Sequence, residues 1–220
     1  MIKAVIFDFD GLIFDTETFV LQAFEEMYDE YQVNFPKEAW NQSIGTSLAF
    51  DPYEALLLRQ PTASKEELKA EYERRYQSIR EGKLPREGVI EYLQRAKQLN
   101  LKIAIASSSP RSWIDEHVSI LAISQYFDFI CTADDVEQIK PDPELYQKVL
   151  HYFDIQPHEA IVFEDSPNGS LAAIRAGIPC VIVPNETTRL LVFDERITLR
   201  INSKRDMTLD EVIEKISALR

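Results

Sequence analysis

Short apolar runs alternate with longer amphipathic stretches along most of the chain. Five apolar runs have the composition of strands that are buried on both faces of a sheet: Ala4–Phe9, Leu101–Ala106, Phe127–Thr132, Ala160–Phe163 and Cys180–Val183. Three stretches between and after them place apolar residues at helical spacing: Gly88–Leu99, Pro143–Phe153 and Gly169–Ala176. Strands that alternate with helices predict a parallel, doubly wound α/β sheet.

The interval directly after the first strand breaks this alternation, because it contains helical patterns and no convincing strand. Its helical stretches are Thr16–Tyr31, Pro52–Arg59 and a stretch from Ser64 to about Arg80. The last of these opens with a capping-box pattern, Ser64-Lys65-Glu66-Glu67. We therefore predict a helical cap domain formed by residues 16–84, inserted into a core formed by residues 1–15 and 85–220.

The charge balance limits the partners that the chain can bind. It has 24 basic and 37 acidic residues, which gives a net charge of −13. A protein this acidic repels nucleic acid and anionic membranes, so neither is expected as a partner. It also repels a phosphate ester, so a site for such a substrate needs a metal ion or a well-placed lysine.

Hydropathy predicts a protein that works in water. No apolar run approaches the roughly 18–20 residues that span a bilayer. The apolar start of the chain is short and is followed at once by Asp8, so it indicates a buried strand and not a signal peptide. We expect a cytoplasmic protein, and a monomer in the absence of any pattern that predicts association.

The first apolar strand ends in two carboxylates. Asp8 interrupts the apolar run, and a buried carboxylate is costly unless it is paired or binds a metal. Because Asp8 and Asp10 are two residues apart, they leave the strand on the same side. One could attack a substrate as nucleophile while the other transfers a proton. A simple turn at Asp10-Gly11 is the structural alternative.

Three further segments place polar groups at or near strand ends, and each has an ordinary explanation when taken alone. Ser107 and Ser108 could form a phosphate-binding nest, or they could only cap the next helix. Glu164 and Asp165 could hold Mg²⁺, which prefers oxygen ligands, or they could form a solvated pair. Lys140, stiffened by neighbouring prolines, could contact a phosphate or lie on the surface.

Taken together, these segments predict one active site. The carboxyl ends of parallel strands meet at the same edge of a sheet, so the polar groups should converge there. They would supply a nucleophile, an acid–base group, metal ligands, a phosphate nest and a cation. The metal and the lysine would also offset the negative charge that opposes a phosphate substrate. The sequence therefore predicts a magnesium-dependent enzyme that acts on phosphate monoesters.

Four motifs, spread over nearly the whole chain, resemble those of the haloacid dehalogenase superfamily. Asp8–Glu17 resembles the first motif of its phosphatase branch, Ser107 the second, Lys140 the third, and Glu164–Gly169 the fourth. The helical insertion after the first motif resembles the C1 cap of that family, as in β-phosphoglucomutase and its phosphatase relatives. The resemblance implies a Rossmann-like core beneath a helical cap.

The resemblance also implies roles for the carboxylates. Asp8 would attack phosphorus and form an aspartyl phosphate. Asp10 would protonate the leaving alcohol and then activate water. Mg²⁺ would be held by the carboxylates of Asp8 and Asp165 and by the backbone carbonyl of Asp10. Glu164 would bind the ion either directly or through a water molecule.

The same resemblance implies how the phosphate is held. Ser107, the backbone N–H of Ser108 and Lys140 would bind the phosphoryl oxygens as charge builds on them. Gly45 would lie where the cap backbone approaches the substrate, although a simple turn is nearly as good an explanation. Trp113 is expected to contribute packing, and His117 has no predicted role.

Two other functions fit the same motifs. A β-phosphoglucomutase shares the Asp8 chemistry but delivers a sugar hydroxyl in place of water. Those mutases carry a histidine at the position of Val20 and a cap arginine near the position of Leu48, and this chain has neither. A catalytically inactive binding scaffold is the other alternative, but no motif residue is lost. We therefore expect hydrolysis of a small phosphorylated metabolite.

Overall fold

A parallel six-stranded sheet forms the centre of the computed structural model, which describes residues 1–43 and 50–219. Its strands are β1 (Ala4–Phe7), β2 (Lys102–Ala106), β3 (Phe129–Cys131), β4 (Ala160–Glu164), β5 (Cys180–Ile182) and β6 (Leu199–Arg200). They lie in the order β3-β2-β1-β4-β5-β6, and every neighbouring pair is parallel. The predicted doubly wound α/β fold is confirmed.

Strand β1 marks the point at which the strand order reverses. The chain continues from β1 to β2 on one side, and β4 pairs with β1 on the other side. Ligands of open α/β sheets bind beyond the carboxyl ends of the strands at such a switch point. The residues that follow β1, β2 and β4 are Asp8, Ser107 and Asp165, so the sheet delivers three predicted site residues to this edge.

Helices cover both faces of the sheet. The described helices are α1 (Thr16–Glu30), α2 (Lys37–Ser43), α3 (Glu54–Arg59), α4 (Lys65–Arg80), α5 (Val89–Gln98), α6 (Arg111–Ile120), α7 (Glu144–Phe153), α8 (Pro167–Arg175) and α9 (Leu209–Ala218). Alternate residues of β1 point to opposite faces, as the period of a strand requires. Val5 and Phe7 join the apolar cluster under α5, α6 and α9, whereas Ala4 and Ile6 join the cluster under α7 and α8.

Helices α1 to α4 enclose an apolar cluster of their own. Its buried members are Phe24, Met27, Tyr28, Trp40, Leu56 and Leu68. The predicted capping box is present at the start of α4, where Ser64 and Glu67 bond each other's backbone N–H groups. A separate cluster supports the predicted division into a cap of residues 16–84 and a core of residues 1–15 and 85–220, which stays a prediction.

Several predicted boundaries were wrong. The first strand was expected to reach Phe9 but ends at Phe7, because the Phe9 carbonyl accepts the N–H groups of Leu12 and Ile13 and the chain turns there. Strand β6 and helix α2 were not predicted, since two and seven residues are too few to show a hydrophobic period. None of the described helices is long and apolar enough to span a membrane.

Candidate active site

A single buried ammonium group joins the ends of three strands. Lys140 is 1% exposed, and its Nζ donates to Asp8 Oδ1 at 2.5 Å, to Glu164 Oε1 at 2.7 Å and to the carbonyl of Ala106 at 2.8 Å. Asp8 follows β1, Glu164 ends β4 and Ala106 ends β2. The structure therefore brings Lys140 from a loop to the predicted nucleophile, as the sequence suggested.

Glu164 holds Lys140 in place through a carboxylate that is itself fixed by several donors. Its Oε1 also accepts from the hydroxyl of Tyr146 at 2.8 Å. Its Oε2 accepts from the next two backbone N–H groups, at 3.0 and 3.2 Å, and from the hydroxyl of Ser166 at 3.1 Å. The carboxylate lies against Gly169 of α8, with no room for a side chain there. Both oxygens of Glu164 are thus already engaged with protein donors.

Burial and neighbouring charges shift the pKa values of both Asp8 and Lys140. Burial raises the pKa of Asp8 to about 8, even though the Lys140 ammonium opposes the rise. Burial alone would lower the pKa of Lys140, but attraction to Asp8 and Glu164 outweighs it and raises the pKa. Lys140 therefore stays a cation, and it faces two carboxylates at once. An additional positive charge would favour the ionised form of Asp8.

The buried carboxylates at this edge form a set that could hold a metal ion. One oxygen from each of Asp8, Glu164 and Asp165 lies within 4.8 Å of the others. Asp165 Oδ2 accepts from the amide of Asn185 at 2.8 Å, but its Oδ1 is buried without a hydrogen-bond partner. Burial and the nearby carboxylates of Glu17 and Asp8 raise the pKa of Asp165 well above its usual range. An orphaned oxygen among excess acids is the environment that a bound cation would satisfy.

Asp10 is held by four side-chain donors. Its Oδ1 accepts from Thr16 Oγ1 at 2.7 Å and from the indole Nε1 of Trp113 at 2.8 Å. Its Oδ2 accepts from Ser109 Oγ at 2.6 Å and from Ser107 Oγ at 3.3 Å. The expectation that Trp113 serves packing alone is therefore incomplete. Nothing in the sequence pattern showed that its N–H group meets Asp10, since that depends on the direction in which α6 leaves β2.

The two phosphate-nest serines lie at the end of β2. Ser107 is 1% exposed, and its backbone N–H donates to the carbonyl of Cys131 at 3.0 Å. Ser108 follows it and is partly buried. Gly45 and the neighbouring segment 46–49, which were considered for contact with the substrate, lie outside the described residues. The roles assigned to all these residues stay predictions.

Residues 5–183 match the model of the haloacid dehalogenase-like hydrolases, which covers most of the chain. The chain belongs to this family. The expected family and its Rossmann-like fold are therefore confirmed, and the edge of the sheet just described lies where its motifs predicted an active site.

Relatives of this hydrolase match most or nearly all of the chain. A Bacillus subtilis (strain 168) protein called putative phosphatase YhcW is 41% identical over 221 residues, which covers 99% of both chains. A Thermotoga maritima protein called phosphorylated carbohydrates phosphatase is 32% identical over 181 residues, covering 80% of this chain and 82% of the relative. The solved structure of β-phosphoglucomutase from Clostridium difficile has a TM-score of 0.76, with 24% identity and coverage of 100% and 99%.

Donors from distant parts of this hydrolase hold the turn that follows Asp8. The carbonyls in Gly11–Ile13 accept from the Arg86 guanidinium, from the Arg86 backbone N–H at 2.8 Å, from Asn185 at 3.3 Å and from Lys204 Nζ at 3.0 Å. Lys204 is 3% exposed, and burial lowers its pKa well below the usual value. None of these three residues was predicted from the sequence, because backbone acceptors leave no pattern in a sequence. Asn185 and Lys204 also lie beyond the segment that matches the family model.

Proposed function

We propose that this hydrolase is a magnesium-dependent phosphatase that cleaves phosphate monoesters of small metabolites with Asp8 as the nucleophile. The observation that carries the proposal is the buried pair of Asp8 and Lys140, in which Nζ lies 2.5 Å from Oδ1, beside the Asp165 Oδ1 that has no hydrogen-bond partner. This arrangement places a carboxylate (Asp8), a buried cation (Lys140) and a carboxylate oxygen that is free to bind a metal ion (Asp165 Oδ1) close together. The relatives called phosphatases support the same reaction class.

In the first step, a carboxylate oxygen of Asp8 attacks phosphorus and the bond from phosphorus to the leaving oxygen breaks. Asp10 gives its proton to that oxygen, so the product leaves as an alcohol. Lys140, Ser107 and the backbone N–H of Ser108 hold the phosphoryl oxygens as negative charge spreads over them. The product of this step is an aspartyl phosphate on Asp8.

In the second step, water releases the enzyme. Asp10, now ionised, removes a proton from a water molecule as the water oxygen attacks phosphorus. The bond between phosphorus and the Asp8 oxygen breaks, which restores the Asp8 carboxylate and yields inorganic phosphate. Asp10 ends the cycle protonated, as it began. Each proton that Asp10 gives in the first step is recovered in the second.

The residues present fit a bound Mg²⁺. We propose that the carboxylates of Asp8 and Asp165 and the backbone carbonyl of Asp10 hold it, since oxygen ligands are those that Mg²⁺ prefers. The ion would neutralise the carboxylates and polarise the phosphoryl group. Both oxygens of Glu164 already bond protein donors, so we propose that Glu164 positions Lys140 and does not ligate the ion directly.

The substrate is proposed only as a class. The name of the Thermotoga maritima relative, phosphorylated carbohydrates phosphatase, favours a sugar phosphate over other metabolites. A cytoplasmic location and a monomeric state are part of the same proposal, since phosphorylated metabolites are intracellular compounds and the chain shows no pattern for association.

The mutase alternative shares every step except the acceptor of the phosphoryl group. In this hydrolase, Val20 packs its apolar side chain against the cap cluster. Valine cannot hydrogen-bond Asp10 as a histidine there would. Incubation with β-glucose 1-phosphate, Mg²⁺ and a trace of the 1,6-bisphosphate separates the two activities. We expect free phosphate to form faster than glucose 6-phosphate, and the reverse would restore the mutase.

The nucleophile is tested by Asp8→Asn, with p-nitrophenyl phosphate as substrate. We expect turnover to fall at least ~10³-fold with the fold retained, because the covalent route is lost. Asp29→Asn, which makes the same charge change on an exposed surface of α1, is the matched control. Retention of more than a tenth of the activity by Asp8→Asn would overturn the mechanism, and an inactive wild-type protein would favour the binding scaffold.

A further inference from the structure

We propose that Trp113 is a positioning residue that decides which oxygen of Asp10 carries the transferred proton. The proposal rests on the proposed function, because it assumes that Asp10 is the acid–base group. Trp113 Nε1 donates to Asp10 Oδ1 at 2.8 Å, from a ring that is partly buried on α6. Trp113 lies outside the four motifs by which this sequence resembles the family.

The indole differs chemically from the other donors around Asp10. The hydroxyls of Thr16, Ser107 and Ser109 can each donate or accept a hydrogen bond, so each can turn around when Asp10 becomes protonated. An indole N–H can only donate. Oδ1 accepts from both Thr16 and Trp113, so a proton on Oδ1 could only point at Thr16 after that hydroxyl turned around. The N–H of Trp113 would then face the hydroxyl oxygen of a carboxylic acid, which is a weaker acceptor than its carbonyl oxygen. The geometry therefore favours an unprotonated Oδ1 and a proton on Oδ2.

Oδ2 is the oxygen on the side of the phosphoryl nest. It lies 3.3 Å from the hydroxyl of Ser107, which is proposed to bind the phosphoryl group, and 2.6 Å from the hydroxyl of Ser109. A proton held on Oδ2 is thus placed next to the phosphoryl site, where the leaving oxygen and the attacking water must both pass. Trp113 contributes by holding the carboxylate in this orientation and takes no proton itself.

Contacts from two helices hold the Trp113 ring in place. His117, one turn further along α6, donates from Nδ1 to the Trp113 carbonyl at 2.8 Å, and the two rings lie 4.2 Å apart. Tyr76 of α4 packs on the indole with ring centroids 5.4 Å apart. Its hydroxyl donates to Nε2 of His117 at 2.8 Å, and Nε2 acts as the acceptor because it also faces the Arg80 guanidinium, which can only donate. The indole is therefore fixed by the core and by a helix of the predicted cap.

The proposal predicts a loss of activity that depends on the leaving group. An alkyl phosphate releases a basic alkoxide that needs the Asp10 proton, whereas p-nitrophenyl phosphate releases a stable anion that does not. Trp113→Phe keeps an aromatic ring against Tyr76 but removes the N–H group. We expect kcat/KM for an alkyl phosphate to fall about 10–100-fold, a part of the roughly 10²–10⁴-fold that general acid–base catalysis contributes. For p-nitrophenyl phosphate, kcat/KM should change less than about 3-fold.

Trp113→His is the rescue variant. The five-membered ring of histidine matches that of tryptophan, and its Nε2 takes the place of the indole Nε1 relative to Cβ. We expect it to keep more activity toward the alkyl phosphate than Trp113→Phe does, although it loses more of the ring that packs on Tyr76. The reverse order would show that packing matters and the donor does not, and would overturn the proposal.

Trp40→Phe is the matched control. Trp40 is 6% exposed, and its Nε1 has no hydrogen-bond partner in the described part of the chain. The same substitution there removes an N–H group that makes no hydrogen bond to the described residues. The ratio of kcat/KM for the alkyl phosphate to kcat/KM for p-nitrophenyl phosphate should therefore stay that of the wild type. Thermal unfolding of each variant checks that the fold is retained.

A double-mutant cycle with Asp10→Asn completes the test. Alone, Asp10→Asn should show the same dependence on the leaving group with a larger loss. Trp113→Phe added to it should cost nothing further. An equal loss on both substrates, or an additional loss in the Asp10→Asn background, would overturn the role of Trp113. The proposed function fails separately, if Asp8→Asn stays active on p-nitrophenyl phosphate.

Discussion

Replacement of Gly169 by alanine should destabilise this hydrolase, although the same change in most helices is stabilising. In an ordinary helix, Gly→Ala gains about 0.5–1 kcal/mol. Gly169 lies in the first turn of α8, and a Cβ there would come within 3.0 Å of Cδ and both oxygens of the Glu164 carboxylate. Real Cβ atoms do not approach other atoms this closely, so the carboxylate must move.

The expected cost can be worked from the contacts of that carboxylate. Overpacking of a filled interior costs about 1–3 kcal/mol. A displaced Glu164 also weakens its bonds to Lys140 and Tyr146, and a bond to a charged group contributes about 1.5–3 kcal/mol. After the gain in helix propensity is subtracted, we expect a net loss of about 3 kcal/mol. Turnover should fall as well, since Glu164 holds Lys140 beside Asp8.

Urea titration without metal, followed by circular dichroism, measures the change. With a slope of about 2 kcal/mol per molar urea, the midpoint of Gly169→Ala should fall by about 1.5 M. Gly82→Ala is the control for stability, because Gly82 has a φ of +68° and no heavy atom within 4 Å of its Cβ position. Its cost should be the roughly 1–2 kcal/mol of left-handed backbone alone. A Gly169→Ala protein as stable as the wild type would refute the reasoning.

Four further predictions concern the site and the cap. Lys140→Met should lower turnover by at least about 10²–10³-fold, measured against exposed Lys148→Met, because a preorganised cation is lost from the phosphoryl site. In the metal-free protein, the stability gained from protonated Asp8 should be full below about pH 4 and lost as pH rises through about 8, so Mg²⁺ should raise the unfolding temperature more at pH 8 than at pH 5. EDTA should abolish activity and Mg²⁺ restore it, whereas full activity in chelator would contradict a metal site. Small-angle scattering with Mg²⁺ and beryllium fluoride should show a more compact particle if the cap closes, and an unchanged profile with confirmed binding would argue against closure.

The convergence of the site could be predicted because it follows from one rule. Apolar strands that are followed directly by Asp8, Ser107 and Asp165 must bring these residues to one edge if the sheet is parallel, and the structure places them there. No such rule applies to Lys140, but its position just before two prolines and a helix marked it as a candidate, and the family motif selected it. These residues interrupt apolar or stiff segments, so their chemistry is visible in sequence.

The supporting contacts could not be predicted, because they depend on the path of the chain in space. Trp113 donates to Asp10 across a separation of 103 residues, so the contact depends on the direction that α6 takes after β2. The sequence left open whether Glu164 binds metal directly, and only its five donors in the structure argue against it. Lys204 contacts Leu12 across a separation of 192 residues, and its acceptor is a carbonyl that every residue has.

That long-range contact between Lys204 and Leu12 has a consequence for the synthesis of the protein. A growing chain leaves the ribosome from its amino terminus, so Asp8, Ser107, Lys140 and Asp165 all emerge before Lys204 does. At that stage these four residues are present, but the turn after Asp8 still lacks the amino group of Lys204, which donates to the Leu12 carbonyl at 3.0 Å. This turn is therefore completed only by a segment that is translated after all four of these residues, so a chain cut short before Lys204 carries the motifs without that support.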